Sequence, residues 1–281
     1  MVKNKIGIMQ GRLSLPVNGR IQSFPKKTWK EEFEKAKTAG LDHIEWIFES
    51  DEWEKNPISS DSGILEITSV MRTTGVKIVS VCADYFMDIP YLSSNEKTRK
   101  DLREKMVWLV NHCSKIGASY IDIPFVDASK INLKSEYPLV REFILPAAKR
   151  AADLKIKLAL ETSLGPSDFA ELLNMMGHPN VVANYDTGNS SGLGYNCVEE
   201  ISSYGSWIAT LHIKDRLLNN GTKPLGEGSA DFQSFFSTFS KLNYQGPIVL
   251  QAAREEDGRE IDTAIKNRKF VENYLERYSI L

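Results

Sequence analysis

The sequence predicts a single closed (β/α)₈ TIM barrel of parallel strands. Eight short apolar runs alternate with eight longer amphipathic ones at a spacing of about 30 residues, the pattern of repeated βα units. The length of 281 residues suits one such barrel, typically about 250 residues, and leaves little for a further domain. No Pro/Ser/Gly-rich linker and no shift in composition interrupts the alternation, so residues 1–281 read as one domain.

The strand candidates, in order, are KIGIM (5–9), HIEWI (43–47), KIVSVCA (77–83), YIDIP (120–124), KLALE (157–161), VVANYD (181–186), IATLHI (208–213) and PIVLQ (247–251). Their continuous apolar runs suit parallel strands covered on both faces. Helices are expected near 28–39, 62–74, 96–116, 138–154, 167–176, 197–205, 231–242 and 261–277. Gly40, Gly75, Gly117 and Gly177 fall just past four of these, where a left-handed closing residue is wanted, and Ser167 and Asp168 suit an N-terminal cap before FAELLNMM. Ile261, Ala264, Ile265, Phe270 and Tyr274 give the last helix its apolar face. Two βα loops are long, Gln10 to Lys27 and Lys214 to Ala230. Both follow strand C-termini, the end at which barrels carry their chemistry.

Bulk properties exclude several classes. Hydrophobic content of 42% and charged content of 26% are those of an ordinary soluble globular chain. A net charge of -2 gives no general attraction for nucleic acid or an anionic membrane. No stretch approaches the roughly 20 apolar residues of a membrane span, and MVKNKIGIMQGR has no apolar core for a signal peptide. The widely spaced Cys82, Cys113 and Cys197 suggest buried thiols in a reducing compartment, without a disulfide framework or zinc ribbon. A cytoplasmic protein is expected, and a homo-oligomer is left open.

Four consecutive strand candidates end in a residue able to hold a metal: Glu161, Asp186, His212 and Gln251. A carboxylate closing an apolar strand is costly to desolvate unless a cation, a donor or water compensates. Each residue alone has an ordinary explanation: Glu161 bonding loop amides, DTGN forming a turn after Asp186, His212 as a satisfied core imidazole. Together they sit on one arc of the barrel rim, and oxygen and nitrogen ligands without thiolate point to Mn²⁺, Mg²⁺ or Co²⁺. His43, His112 and His178 read as structural or solvated. Further polar residues on the rim are candidate substrate contacts: Glu45 inside HIEWI, Asp84 after strand 3, Lys214 after His212, and Arg254 three residues past Gln251. Gly226-Glu227-Gly228 near Lys214, Arg216 and Lys223 offers amides and cations for a phosphate, with Glu227 a further candidate contact.

LALETS, NYDTGN, LHIKD, LGEGSADF and GPIVLQ, with GIMQGRL, GRIQSFP and EEFEKAKTAGLDHIEW near the N-terminus, resemble the xylose-isomerase-like barrel superfamily. Within it the chain is similar to the sugar and sugar-phosphate isomerase/epimerase group, including ketose 3-epimerases and L-ribulose or L-xylulose phosphate epimerases. The resemblance covers essentially the whole chain. It implies a divalent cation held at Glu161, Asp186, His212 and Gln251, a sugar or sugar-phosphate substrate, and an enediolate intermediate. In those enzymes the fourth position is a glutamate, and the two glutamates exchange protons with opposite faces of the substrate. Glutamine at 251 can ligate a hard cation but cannot act as a base. Glu161 is then the one expected base at the metal. This leans toward isomerisation, unless Glu45 or Asp84 supplies a second acid. A metal-dependent keto-polyol dehydratase and a barrel that binds sugar or metal without turnover are the alternatives.

Overall fold

The structure, a computed structural model, describes residues 5–280. Eight parallel strands close the barrel: β1 (Ile6–Met9), β2 (His43–Ile47), β3 (Lys77–Cys82), β4 (Tyr120–Phe125), β5 (Lys157–Thr162), β6 (Val181–Asp186), β7 (Ile208–Ile213) and β8 (Ile248–Leu250). Each pairs with its sequence neighbours, and β8 pairs with β1 to close the ring. Every residue of β6 and β7 is buried, as expected of strands with helices on one side and barrel filling on the other. No helix among the described residues is long and apolar enough to cross a membrane.

Helices follow the strands near the positions the periodicity indicates. Gly40, Gly75, Gly117 and Gly177 all take positive φ at helix ends, from 60° to 83°. Asn95 and Asp231 cap their helices through Thr98 N and Ser234 N. The helix Pro166–Met176 begins earlier than expected: Pro166 occupies its first turn and Gly165 precedes it, so neither Ser167 nor Asp168 is the cap. The last helix, Glu260–Arg277, fully buries Ala264, Asn267, Val271 and Leu275. Ile261, Ile265, Phe270 and Tyr274 are only partly covered, so the buried stripe is rotated from the expected one. Tyr274 stacks on Phe236 of the preceding helix at 4.9 Å. Cys82, Cys113 and Cys197 are free thiols, the first two buried and the third half-buried.

One helix had no periodic signal. Thr187–Leu193, TGNSSGL, consists mostly of poor helix formers. It forms because Asp186 Oδ1 accepts from the amides of Gly188 and Asn189, 2.8 and 2.7 Å. Gly188 also presses against Lys214, where a Cβ would lie 2.6 Å from Cγ.

The loop after β1 is pinned from three sides. Glu32 accepts from the amides of Gly11 and Leu13, both at 3.1 Å. Arg254 donates to the carbonyls of Gly11, Ser14 and Ile21. The buried Arg12 donates to Ala252 O and Ile21 O. Burial pushes the Glu32 carboxyl from 4.5 up to about 7 although these amides oppose it. An acid with a raised folded value binds more protons folded than unfolded, so its contribution to stability falls as pH rises through that window and is level above it. The loss is on the order of 3 kcal/mol at about 1.4 kcal/mol per unit. Urea denaturation at about pH 5 and about pH 8 should show wild type losing that much relative to Glu32→Gln. A constant difference between the two proteins would show that Glu32 titrates normally.

Candidate active site and metal centre

At the C-terminal mouth, β5 and β6 bring Glu161 and Asp186 each close to His212 of β7. His212 Nδ1 lies 3.5 Å from Glu161 Oε2 and 3.9 Å from Asp186 Oδ2. Ligands bound to one cation at about 2.0–2.3 Å are separated by about this much. Asp186 is divided in its duties: Oδ1 caps the following helix, while the buried Oδ2 has no hydrogen-bond partner. Lys214 Nζ stands 3.6 Å from that oxygen. Glu161 accepts from Asn184 Nδ2 at 2.9 Å and from Asn189 Nδ2, which fixes both carboxylate oxygens.

His212 is aimed by its far side. Its Nε2 contacts Glu45 Oε2 at 2.8 Å, and both side chains are fully buried. Carboxylates placed behind a ligating imidazole commonly fix its tautomer and raise its basicity. Burial opposes a charged imidazole, but Glu45, Glu161 and Asp122 outweigh it and hold His212 well above its ordinary value. Burial likewise opposes the Glu161 carboxylate; His212 and Lys214 prevail and keep it below the usual value. Asp122, beside it, is pushed well up by burial and by the Glu161 charge. The two acids of this pair are thus pushed in opposite directions.

Gln251 also reaches the site. Its Oε1 accepts from Lys214 Nζ at 3.4 Å, and its Nε2 donates to Gln22 Oε1 at 2.9 Å. Gln22 in turn donates to Asp84 Oδ2 at 2.9 Å. This chain turns the Gln251 oxygen, the ligating atom of an amide, toward Lys214. Burial raises Asp84 to about 6. Asp84, Asp122, Glu161, Lys214 and Gln251 line one cavity of ≈ 670 Å³, within the range of small-molecule sites. The oxygen and nitrogen donors and the orphaned Asp186 Oδ2 fit a divalent cation.

A family model described as xylose isomerase-like TIM barrel matches residues 33–274. The chain belongs to this family. In the xylose isomerase-like family its similarities extend over full length. A Haemophilus influenzae protein, named provisionally as L-ribulose-5-phosphate 3-epimerase, is 26% identical over 100% of both chains. The structure of D-psicose 3-epimerase from Clostridium cellulolyticum H10 superposes with a TM-score of 0.76 at 17% identity, covering 96% of this chain and 99% of that one. The IOLI protein, solved with a zinc atom, gives 0.75 at 16% identity, covering 98% and 99%. At these identities the two structures speak for the shared barrel.

Several expected substrate contacts do other work in this xylose isomerase-like chain. Glu45 is fully buried behind His212 and outside the cavity lining. Arg254 is committed to three loop carbonyls and lies outside that lining. Glu227 is exposed and also outside it. The glycine turn is not a free anion cradle, because the amides of Gly226 and Gly228, each at 2.9 Å, and of Ala230 at 3.0 Å all serve the buried Asp215 carboxylate. A Cβ at Gly228 would lie 2.1 Å from Asp215 Oδ1, so that glycine permits the close approach. Arg216 does line the cavity, whereas Lys223 does not. Asp122, Asn184, Asn189 and Gln22 also belong to the site, beyond the residues the strand ends indicate. Asp122 carried the same signal as Glu45, a charge inside an apolar strand.

Proposed function

We propose that this family member is an isomerase, a divalent-metal-dependent sugar or sugar-phosphate isomerase/epimerase working through an enediolate. The observation that carries the reading is the approach of Glu161 Oε2 and Asp186 Oδ2 to His212 Nδ1, at 3.5 and 3.9 Å, in the mouth of the barrel. Glu161, Asp186, His212 and Gln251 would hold Mn²⁺, Mg²⁺ or Co²⁺, which when bound polarises the substrate carbonyl and hydroxyl. Glu161, ionised and held by Asn184 and Asn189, takes the proton from the carbon beside the carbonyl. Returned to the carbonyl carbon, while the proton of the adjacent hydroxyl passes to the former carbonyl oxygen, that proton completes an aldose–ketose isomerisation. Lys214 stands beside Asp186 and Gln251, close enough to bond an oxygen of the developing enediolate. With Glu45 sealed away, Asp84, one of several acids lining the cavity and joined to Gln251 through Gln22, is the candidate to serve the opposite face for epimerisation. Arg20, Lys214 and Arg216 line the same cavity and suit a substrate phosphate.

The names of the full-length relative and of the superposed epimerase support a ketose substrate. The test is a panel of ketoses and ketose phosphates in D₂O with Mn²⁺, followed by NMR. Deuterium incorporation beside the carbonyl, with a new isomer or epimer, is the expected result. A panel with no exchange and no product leaves the barrel as a binder and rejects the catalytic reading.

A further inference from the structure

We propose that Asp122, on β4, is itself a ligand to the divalent cation, so that the ion sits deeper in the barrel, between Asp122, Glu161 and His212, with the neutral Gln251 at its outer edge. This rests on the metal-dependent reading above and redraws its ligand set. Asp122, Glu161 and His212 each offer one ligand atom, and these three atoms all lie within 4.8 Å of one another. Opposite ligands around an octahedral ion are separated by about 4.2 Å, so one cation can collect all three with small movements.

The register places Asp122 beside Ala159, whereas Glu161 pairs with Pro124. Asp122 is therefore two residues, about 6.6 Å of strand, nearer the barrel centre than the Glu161 level. Its side chain lines the same cavity as Glu161 yet is fully buried. Its commitments to protein are few. Oδ1 has no hydrogen-bond partner, and Oδ2 faces only the Cys82 thiol at 3.6 Å. Asp186, by contrast, already spends Oδ1 on two helix amides. A buried carboxyl group left this open, charged or neutral, carries polar atoms without protein partners, and a cation would engage them. Charge points the same way: Gln251 brings none, so Asp122 would supply the third carboxylate beside Glu161 and Asp186 around the dication.

Calorimetric titration of the full chain with Mn²⁺ tests this, alongside melting in EDTA. Asp122→Asn should weaken Mn²⁺ binding about ten-fold or more, as expected when a charged ligand is lost. Its ion-free melting temperature should stay close to that of wild type, since one buried, largely unpartnered polar group replaces another of the same shape. Affinity within about two-fold of wild type would overturn the proposal, given that ordinary ligand losses are far larger. A clear fall in the ion-free melting temperature would also overturn it, by showing that Asp122 holds the fold. Wild type that binds none of Mn²⁺, Mg²⁺ or Co²⁺ is a different outcome and removes the metal-dependent reading itself.

Discussion

Glu161→Gln is expected to slow solvent exchange of a ketose proton beside the carbonyl by roughly 10²–10⁴-fold, the usual loss when a general base is removed. The reasoning is local. His212 and Lys214 hold the Glu161 carboxylate ionised despite burial, so it is ready to accept a proton at neutral pH. Asn184 and Asn189 fix its two oxygens, so the base is positioned before substrate arrives. Glutamine has nearly the same shape and can still offer an oxygen to a hard cation, but it cannot take a proton. Its NH₂ must face an asparagine donor, which costs about 1–3 kcal/mol of stability and leaves the fold intact. NMR in D₂O measures the exchange, and Mn²⁺ titration checks that the cation still binds. Exchange within ten-fold of wild type would move the base elsewhere, to Asp84 in the first instance.

Glu45→Gln is expected to weaken divalent-cation binding by roughly 10–100-fold, although Glu45 never reaches the cavity. The Glu45 carboxylate sits 2.8 Å behind His212 Nε2, and neither side chain is exposed. An amide there can still accept from the imidazole but adds no charge to raise its basicity. Glu45→Ala goes further and removes the partner of a buried charge, which costs about 3–5 kcal/mol. The Mn²⁺-induced rise in melting temperature, compared across wild type and both variants, reads these effects separately. Unchanged cation binding in Glu45→Gln would show that Asn184, 3.1 Å from Nδ1, orients the ring alone.

Much of this molecule is legible before folding. Apolar runs and glycine stops locate all eight strands to within one or two residues, because parallel strands buried on both faces must be apolar nearly throughout. Glu161, Asp186, His212 and Gln251 stand out because each closes such a run, and consecutive βα units necessarily place those ends on neighbouring strands. Asp122 and Glu45 were harder. A polar residue inside a strand signals that it needs a partner, but which partner depends on the stagger between strands. Only the register sets Asp122 beside Cys82 and Ala159, two residues below the level of Glu161. Only closure of the ring carries Glu45 of β2 across to His212 of β7.

Loop residues depended on tertiary structure for a different reason. Arg254 and the Gly226–Gly228 amides had the right chemistry to bind an anion, and the fold satisfies them internally with loop carbonyls and with Asp215. Composition and period by themselves determine the barrel and the arc of ligand-type residues at its mouth, since both follow from burial repeated along the chain. Which buried charges face each other, and which cations remain open to a substrate, is decided by contacts between residues as far apart as Gln22 and Gln251. No local pattern encodes those contacts, because they exist only once the first and last strands meet.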